Sequence, residues 1–154
     1  MLDQMETLAR KRLDEAIAPF RAGAQPRPPR GWVRAIRDAL GMTTRQLAAR
    51  MGLSQSTIAA LEKGEEAETV SLKTLREAAK ALDCRLVYAL VPNTTLQEAV
   101  NARARALADA QLARIHHTMR LEDQALRASD LAAERERLTQ SFLAGRPSRL
   151  WEDA

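Results

Sequence analysis

The stretch TTRQLAARMGLSQSTIAALEKG, residues 43–64, constrains the fold more than any other part of the chain. It predicts two short helices joined by a tight turn. Thr43 opens the first with a capping box, because Gln46 stands three residues on and can reach back to it. Leu47 and Ala48 supply the buried side of that helix. Gly52 ends it, since a left-handed backbone costs glycine little. Ser54 then caps the second helix. Ile58 and Leu61 face inward at i and i+3, and Gly64 is expected to close the element. Two capped helices joined so closely pack at a steep angle.

The second helix therefore presents the side opposite Ile58 and Leu61, which carries Gln55, Ser56, Ala59 and Lys63. An amide, a hydroxyl, a methyl and a cation suit the edges and phosphates of a DNA major groove. The alternative is an ordinary solvated helix face. On the groove reading, Gln55 and Ser56 reach base edges. Thr44, Thr57 and Lys63 hold phosphates, Arg45 and Arg50 support the backbone contacts, and Ser54 and Ala59 complete the DNA-facing set.

This stretch resembles the Xre/Cro helix-turn-helix of the lambda-repressor-like superfamily, over about residues 31–82. In that pattern an arginine on the first helix pairs with a glutamate near the end of the recognition helix. Arg37 and Glu62 match those positions, and the resemblance implies a structural pair. The whole chain resembles the family called mobile mystery protein A, through RPPRGWVRAIRDALGMTTRQLA, ALDCRLVYALVP and LAGRPSRLWED. Members of that family are encoded beside a Fic-domain partner, mobile mystery protein B. The resemblance thus implies the autoregulating antitoxin of a Fic-type toxin–antitoxin pair. The alternative is a protein whose main task is to inhibit a Fic-domain enzyme, with DNA binding secondary.

Charge supports the first reading. From Arg27 to Gly52 six arginines face Asp38 alone, a net of +5, whereas Arg127 to Ala154 is balanced. The basic stretch coincides with the two-helix element, as an electrostatic footprint on DNA should. Cys84 is the one cysteine, so no internal disulfide is possible and a reducing cytoplasm fits. No stretch approaches a membrane span. No nucleophile–base pair, paired carboxylates or phosphate-cradling glycine loop stands out, so an enzyme is not expected. His116 and His117 are adjacent, whereas a helical metal pair wants i, i+4 spacing. No metal or cofactor is expected.

The fold class expected is mostly α, with four segments. Residues 1–21 form an amphipathic helix with Leu2, Met5, Ala9, Leu13, Ala16, Ile17 and Phe20 at helical spacing. It either packs on its own domain or serves as a dimerisation arm. Residues 22–30 are a Pro/Arg linker whose Arg27 and Arg30 either track a phosphate backbone or are plain linker charges.

Residues 31–92 hold the helix-turn-helix domain plus a strand. Trp32 to Leu40 is its first helix, with Val33, Ile36 and Leu40 as core stripe. Glu65 to Val70 is expected as a loop. Ser71 caps a helix with Leu72, Leu75, Ala78, Ala79 and Leu82 inward. In Arg85–Val91, Leu86, Tyr88 and Leu90 alternate with Val87, Ala89 and Val91, which predicts a short β-strand. A lone strand needs a partner edge, so Leu86, Val87, Tyr88, Ala89 and Leu90 are the expected contacts of a homodimer.

Residues 93–154 are a helical extension. Thr94 or Thr95 starts a long helix whose apolar face is Leu96, Val100, Leu107, Leu112, Ile115, Met119 and Leu126. A further helix runs from Ser129 to Leu143. An irregular tail follows, in which Trp151 is expected to dock on this chain or a partner. Inhibitory modules of Fic enzymes resemble a helix with Ser or Thr, three residues, Glu, then Gly or Asn. Thr118 and Glu122 match at i, i+4, while Asp123 departs from the pattern. The alternative is that Glu122 forms a surface ion pair or edges a packing face.

Overall fold

The computed structural model describes residues 2–23, 26–121 and 127–152. Among them are seven α-helices and a terminal 3-10 helix. The chain falls into two compact units, residues 23–89 and residues 1–22 with 90–154.

The first unit holds α2 (Trp32–Ala39), α3 (Thr44–Met51), α4 (Gln55–Glu66) and α5 (Leu72–Ala81). Their inward side chains make one core of Val33, Leu47, Ala48, Ile58, Leu61, Ala78 and Leu82, edged by Ile36, Met42, Met51, Val70, Leu75 and Ala81. Leu47 and Ile58 are its largest fully enclosed members, each contributing about 1.5–3 kcal/mol relative to exposure. Three of the helices begin with a hydroxyl cap: Thr43, Ser54 and Ser71 each accept from a backbone N–H three residues on.

Four expectations for this unit are corrected. Leu40 and Leu72 point into solvent rather than the core, because α2 ends at Ala39 and Leu72 occupies the first turn of α5. Gly64 does not close α4, which runs on to Glu66. It instead gives room to the returning chain: a Cβ there would lie 3.4 Å from Thr69 Oγ1, and the Thr69 N–H donates to Gly64 O at 2.8 Å. The helix reverses one turn later, with Glu68 left-handed at φ 60°. Finally, Arg85–Val91 forms no strand and carries no regular secondary structure. A ladder needs a second edge, and the described residues of this chain contain no strand to offer one.

The second unit is built on α6 (Leu96–Leu121) and α7 (Ala128–Ala144). These run antiparallel, with Arg135 paired bidentately to Asp109 (2.6 and 2.8 Å). Buried Ala104 and Ala108 on α6, with Leu138 and Thr139 on α7, make the interior. Small alanines let helix backbones approach closely, and the buried Thr139 hydroxyl is satisfied by Arg135 O at 2.8 Å. The burial thus follows alanines more than the expected leucine stripe, and Ile115 is exposed. Expected positions Glu122, Asp123 and Leu126 lie outside the described residues, as does the side chain of Met119.

The tail is not irregular. Pro147–Trp151 forms the 3-10 helix and buries Leu150, whose carbonyl accepts from Arg103 Nε at 2.6 Å. Among the described residues Trp151 is not buried; 57% of it is exposed. The reason is angular: adjacent residues on so tight a helix point apart, and the anchored side is that of Leu150.

The remaining helix, α1 (Leu2–Arg21), packs on α6 in this unit. Thr95 caps α6 through its hydroxyl, which accepts the Glu98 N–H at 3.1 Å. The Asp14 carboxylate of α1 completes the cap by accepting the Leu96 N–H at 2.9 and 3.1 Å. Negative charge is stabilised at a helix N-terminus by the unpaired N–H groups there.

Candidate nucleic-acid interface

The turn between α3 and α4 is set locally. Thr43 and Gln46 exchange the two hydrogen bonds of a capping box, at 3.2 and 2.8 Å. Gly52 is left-handed at φ 65°, and the Leu53 N–H closes the end on Ala48 O at 2.9 Å. Ser54 accepts the Thr57 N–H at 3.1 Å and starts α4, so only residues 52–54 separate the two helices.

Burying Ile58 and Leu61 leaves Gln55, Ser56, Thr57, Ala59 and Lys63 exposed. The amide of Gln55 donates to Thr44 Oγ1 at 2.9 Å, tying the starts of the two helices together. Among the described residues its carbonyl and second N–H have no partner. The Ser54 hydroxyl lies 2.9 Å from that of Ser56 and 2.7 Å from that of Thr57. Hydroxyls and unpaired N–H groups thus crowd the N-terminus of α4, an arrangement suited to phosphate oxygens. Arg45 and Lys63 are exposed, and among the described residues neither is in an ion pair. Arg50 also reaches solvent but donates to Ala81 O at 3.0 Å, the C-terminal end of α5.

Behind this face, Arg37 on α2 meets Glu62 on α4 bidentately, at 2.6 and 3.1 Å, with both side chains buried. Arg37 also donates to Met42 O at 2.8 Å and contacts Asp38 at 2.7 Å. The hydrogen bonds to Glu62 raise the Arg37 pKa; burial opposes them, and the charges of Glu62 and Asp38 add to the rise. The pair fixes α4 against α2 and neutralises a carboxylate that would otherwise repel phosphate.

Sequence reasoning missed Glu65. It lies buried in the last turn of α4, and its carboxylate accepts the Trp32 and Val33 N–H groups at 2.7 and 3.0 Å. It is thus the cap of α2, supplied from another helix. One signal was present: Gly31 precedes α2 and has no side chain with which to cap it. Gly31 is left-handed at φ 86°, and a Cβ there would fall 2.7 Å from the Glu65 carboxyl. Arg27 takes a third role beyond the two expected. It donates to Glu65 O at 2.6 Å and Glu66 O at 3.3 Å, the final carbonyls of α4. A cation at a helix C-terminus is favourable. Arg30 is exposed.

Val87, Tyr88, Ala89 and Leu90 are exposed, while Leu86 is half-buried and borders a groove with Trp32 and Leu75. The Thr118 hydroxyl donates to Arg114 O on its own helix at 3.1 Å, and its candidate companion Glu122 is not among the described residues.

A helix-turn-helix family model matches residues 33–88, so this segment is a helix-turn-helix domain of Xre/Cro type. The match supports a DNA-binding regulator; the family is not one of enzymes. Comparison with curated proteins and with solved structures finds no match. No helix among the described residues is long and apolar enough to cross a membrane.

Proposed function

We propose that the chain is a sequence-specific transcriptional regulator that lays α4 in the DNA major groove. The observation that supports it most is the exposed row Gln55, Ser56, Ala59 and Lys63 on a helix pinned from behind by Arg37–Glu62. Gln55 and Ser56 read base edges, and the Ala59 methyl meets a thymine methyl. Thr44, Ser54, Thr57 and Lys63 hold phosphates, with Arg45 and Arg50 adding backbone contacts. The Gln55–Thr44 hydrogen bond orients the amide before DNA arrives, so little side-chain freedom remains to be lost on binding.

The test separates reading from holding. Gln55→Ala is expected to relax sequence preference by about 1–3 kcal/mol at one base pair. Lys63→Ala is expected to weaken all DNA about equally and to lower the salt slope by about one. Unchanged specificity and affinity in Gln55→Ala, in a binding titration, would reject this docking.

The regulator acts as a homodimer in the cytoplasm, since two-fold DNA sites suit two recognition helices. The finer role, the autoregulating antitoxin of a Fic-type pair, rests on the resemblance of the three quoted segments alone. A Fic-type reading frame beside the gene, and co-purification of its product with this protein, would support it. Thr118 and Glu122 enter only on that reading, as contacts to the partner enzyme.

A further inference from the structure

Arg10 is half-buried on α1, and among the described residues it is in no ion pair. Its Nε donates to Gln97 Oε1 at 2.9 Å, and its Nη2 donates to Thr7 Oγ1 at 3.0 Å. Gln97 continues the chain, its Nε2 donating to Asn101 Oδ1 at 3.1 Å. Thr7 and Arg10 stand at i, i+3 on α1, and Gln97 and Asn101 at i, i+4 on α6, so each pair shares a face of its helix. Neutral oxygens thus hold the guanidinium in place without cancelling its charge. Every side-chain oxygen in this network already accepts. Among the described residues the groups left without a partner are donors, Arg10 Nη1 and the Asn101 amide nitrogen. The acids one turn away on α1 are Glu6 and Asp14. Neither pairs with Arg10, and Asp14 is taken by the Leu96 N–H and by Arg21.

The same four residues, Thr7, Arg10, Gln97 and Asn101, line a cleft of about 300 Å³ between α1, α6, α7 and the 3-10 helix. The rest of its lining is apolar: Val100, Leu143, Pro147 and Leu150. Concave, largely apolar surface with a few convergent polar groups is the build of a small-molecule site. Arg10 is the one charged residue in the lining. A guanidinium half withdrawn from water gains most from an anion, because charge-assisted hydrogen bonds are about twice as strong as neutral ones. One cation and no carboxylate in the lining match a single negative charge. A dianion would bring a second charge with nothing to meet it. The apolar lining in turn calls for a hydrocarbon body on the ligand.

We propose that this cleft binds a small organic monocarboxylate, its carboxylate on Arg10 and Asn101 and its hydrocarbon body on Val100, Leu143 and Pro147. The inference goes beyond the DNA-binding reading and does not depend on the groove contacts, since every residue in it belongs to the second unit.

The test is a titration of the full chain followed by proton–nitrogen NMR, at constant ionic strength made up with chloride. The probes are hexanoate, acetate, hexanol and inorganic phosphate. Hexanoate is expected to shift the side-chain amide signals of Gln97 and Asn101 and the Arg10 Nε–H signal, and to saturate. Acetate lacks the body, hexanol lacks the charge, and phosphate lacks the body and carries excess charge. Each is expected to bind about tenfold or more weakly than hexanoate. Arg10→Gln is expected to weaken hexanoate about tenfold or more, with circular dichroism as a check because Arg10 also ties α1 to α6. Asn101→Asp keeps the acceptor for Gln97 and leaves Arg10 in place, but adds a negative charge to the lining. It is expected to weaken hexanoate about as much, with helix content unchanged, and it decides the matter if Arg10→Gln loses helix. No saturating shift with hexanoate at tens of millimolar would overturn the proposal. So would hexanol or phosphate binding as well as hexanoate, shifts confined to residues outside the cleft, or an Asn101→Asp variant that binds hexanoate unchanged.

Discussion

Arg37→Ala is expected to destabilise the helix-turn-helix domain by about 3–5 kcal/mol, a large share of the stability of so small a unit. The substitution leaves the Glu62 carboxylate buried with both of its guanidinium donors gone. It also strips Met42 O of its side-chain partner. The penalty is that of an unpaired buried charge, so removing both partners should cost less than removing one. The double variant Arg37→Leu with Glu62→Leu is expected to recover much of the loss while still weakening DNA binding, since α4 loses its tie to α2. Urea unfolding of the three proteins measures this, and a double variant less stable than Arg37→Ala would reject the argument. The raised Arg37 pKa gives the pH dependence its sign: stability from a raised group is present below its unfolded pKa and lost as pH rises through the folded one. For an arginine that loss lies at the alkaline extreme, so raising pH through neutrality leaves the Arg37 contribution in place.

Glu65→Ala is the second large effect, at about 2–4 kcal/mol, because it orphans two N–H groups at the start of α2. Val33 is buried there, so water does not readily replace the carboxylate. Glu65→Gln keeps one acceptor and is expected to recover roughly half of the loss. Hydrogen exchange at Trp32 and Val33 should quicken in the alanine variant before exchange in α3 does. Gly31→Ala acts on the same contact from the other side, through a clash at 2.7 Å and an unfavourable φ. If Glu65→Ala unfolds at the same urea concentration as the unaltered protein, the capping role is wrong.

These residues also show what a sequence does and does not disclose. Thr43 with Gln46, Gly52, and Ser54 with Thr57 act over one to three positions, so their caps could be read directly and the turn was placed correctly. Arg37 and Glu62 are 25 positions apart and came into view only through the family resemblance. Glu65 and the end of α2 it caps are 32–33 positions apart, and no local rule links them. Gly64 misled because glycine usually marks a helix end, whereas here it makes space for Thr69 and Val70. The alternation in Arg85–Val91 reports strand propensity, but propensity without a second edge makes no ladder. For α1 the period was legible and the orientation was not. Arg10, Asp14 and Arg21 decide which face turns to α6, and they do so by hydrogen bonding to groups more than seventy residues away.

The central claim is that α4 reads DNA sequence. A pool of random-sequence duplexes is passed over the immobilised full chain, the retained DNA is sequenced, and the enriched duplex is titrated against the starting pool over a series of salt concentrations. One sequence is expected to emerge, bound about a thousandfold or more tighter than the pool. Its affinity should fall linearly with salt on logarithmic axes, and Gln55→Ala should lose preference at one position. A retained pool as random as the input, or a Gln55→Ala variant that enriches the same sequence with the same affinity, would contradict it.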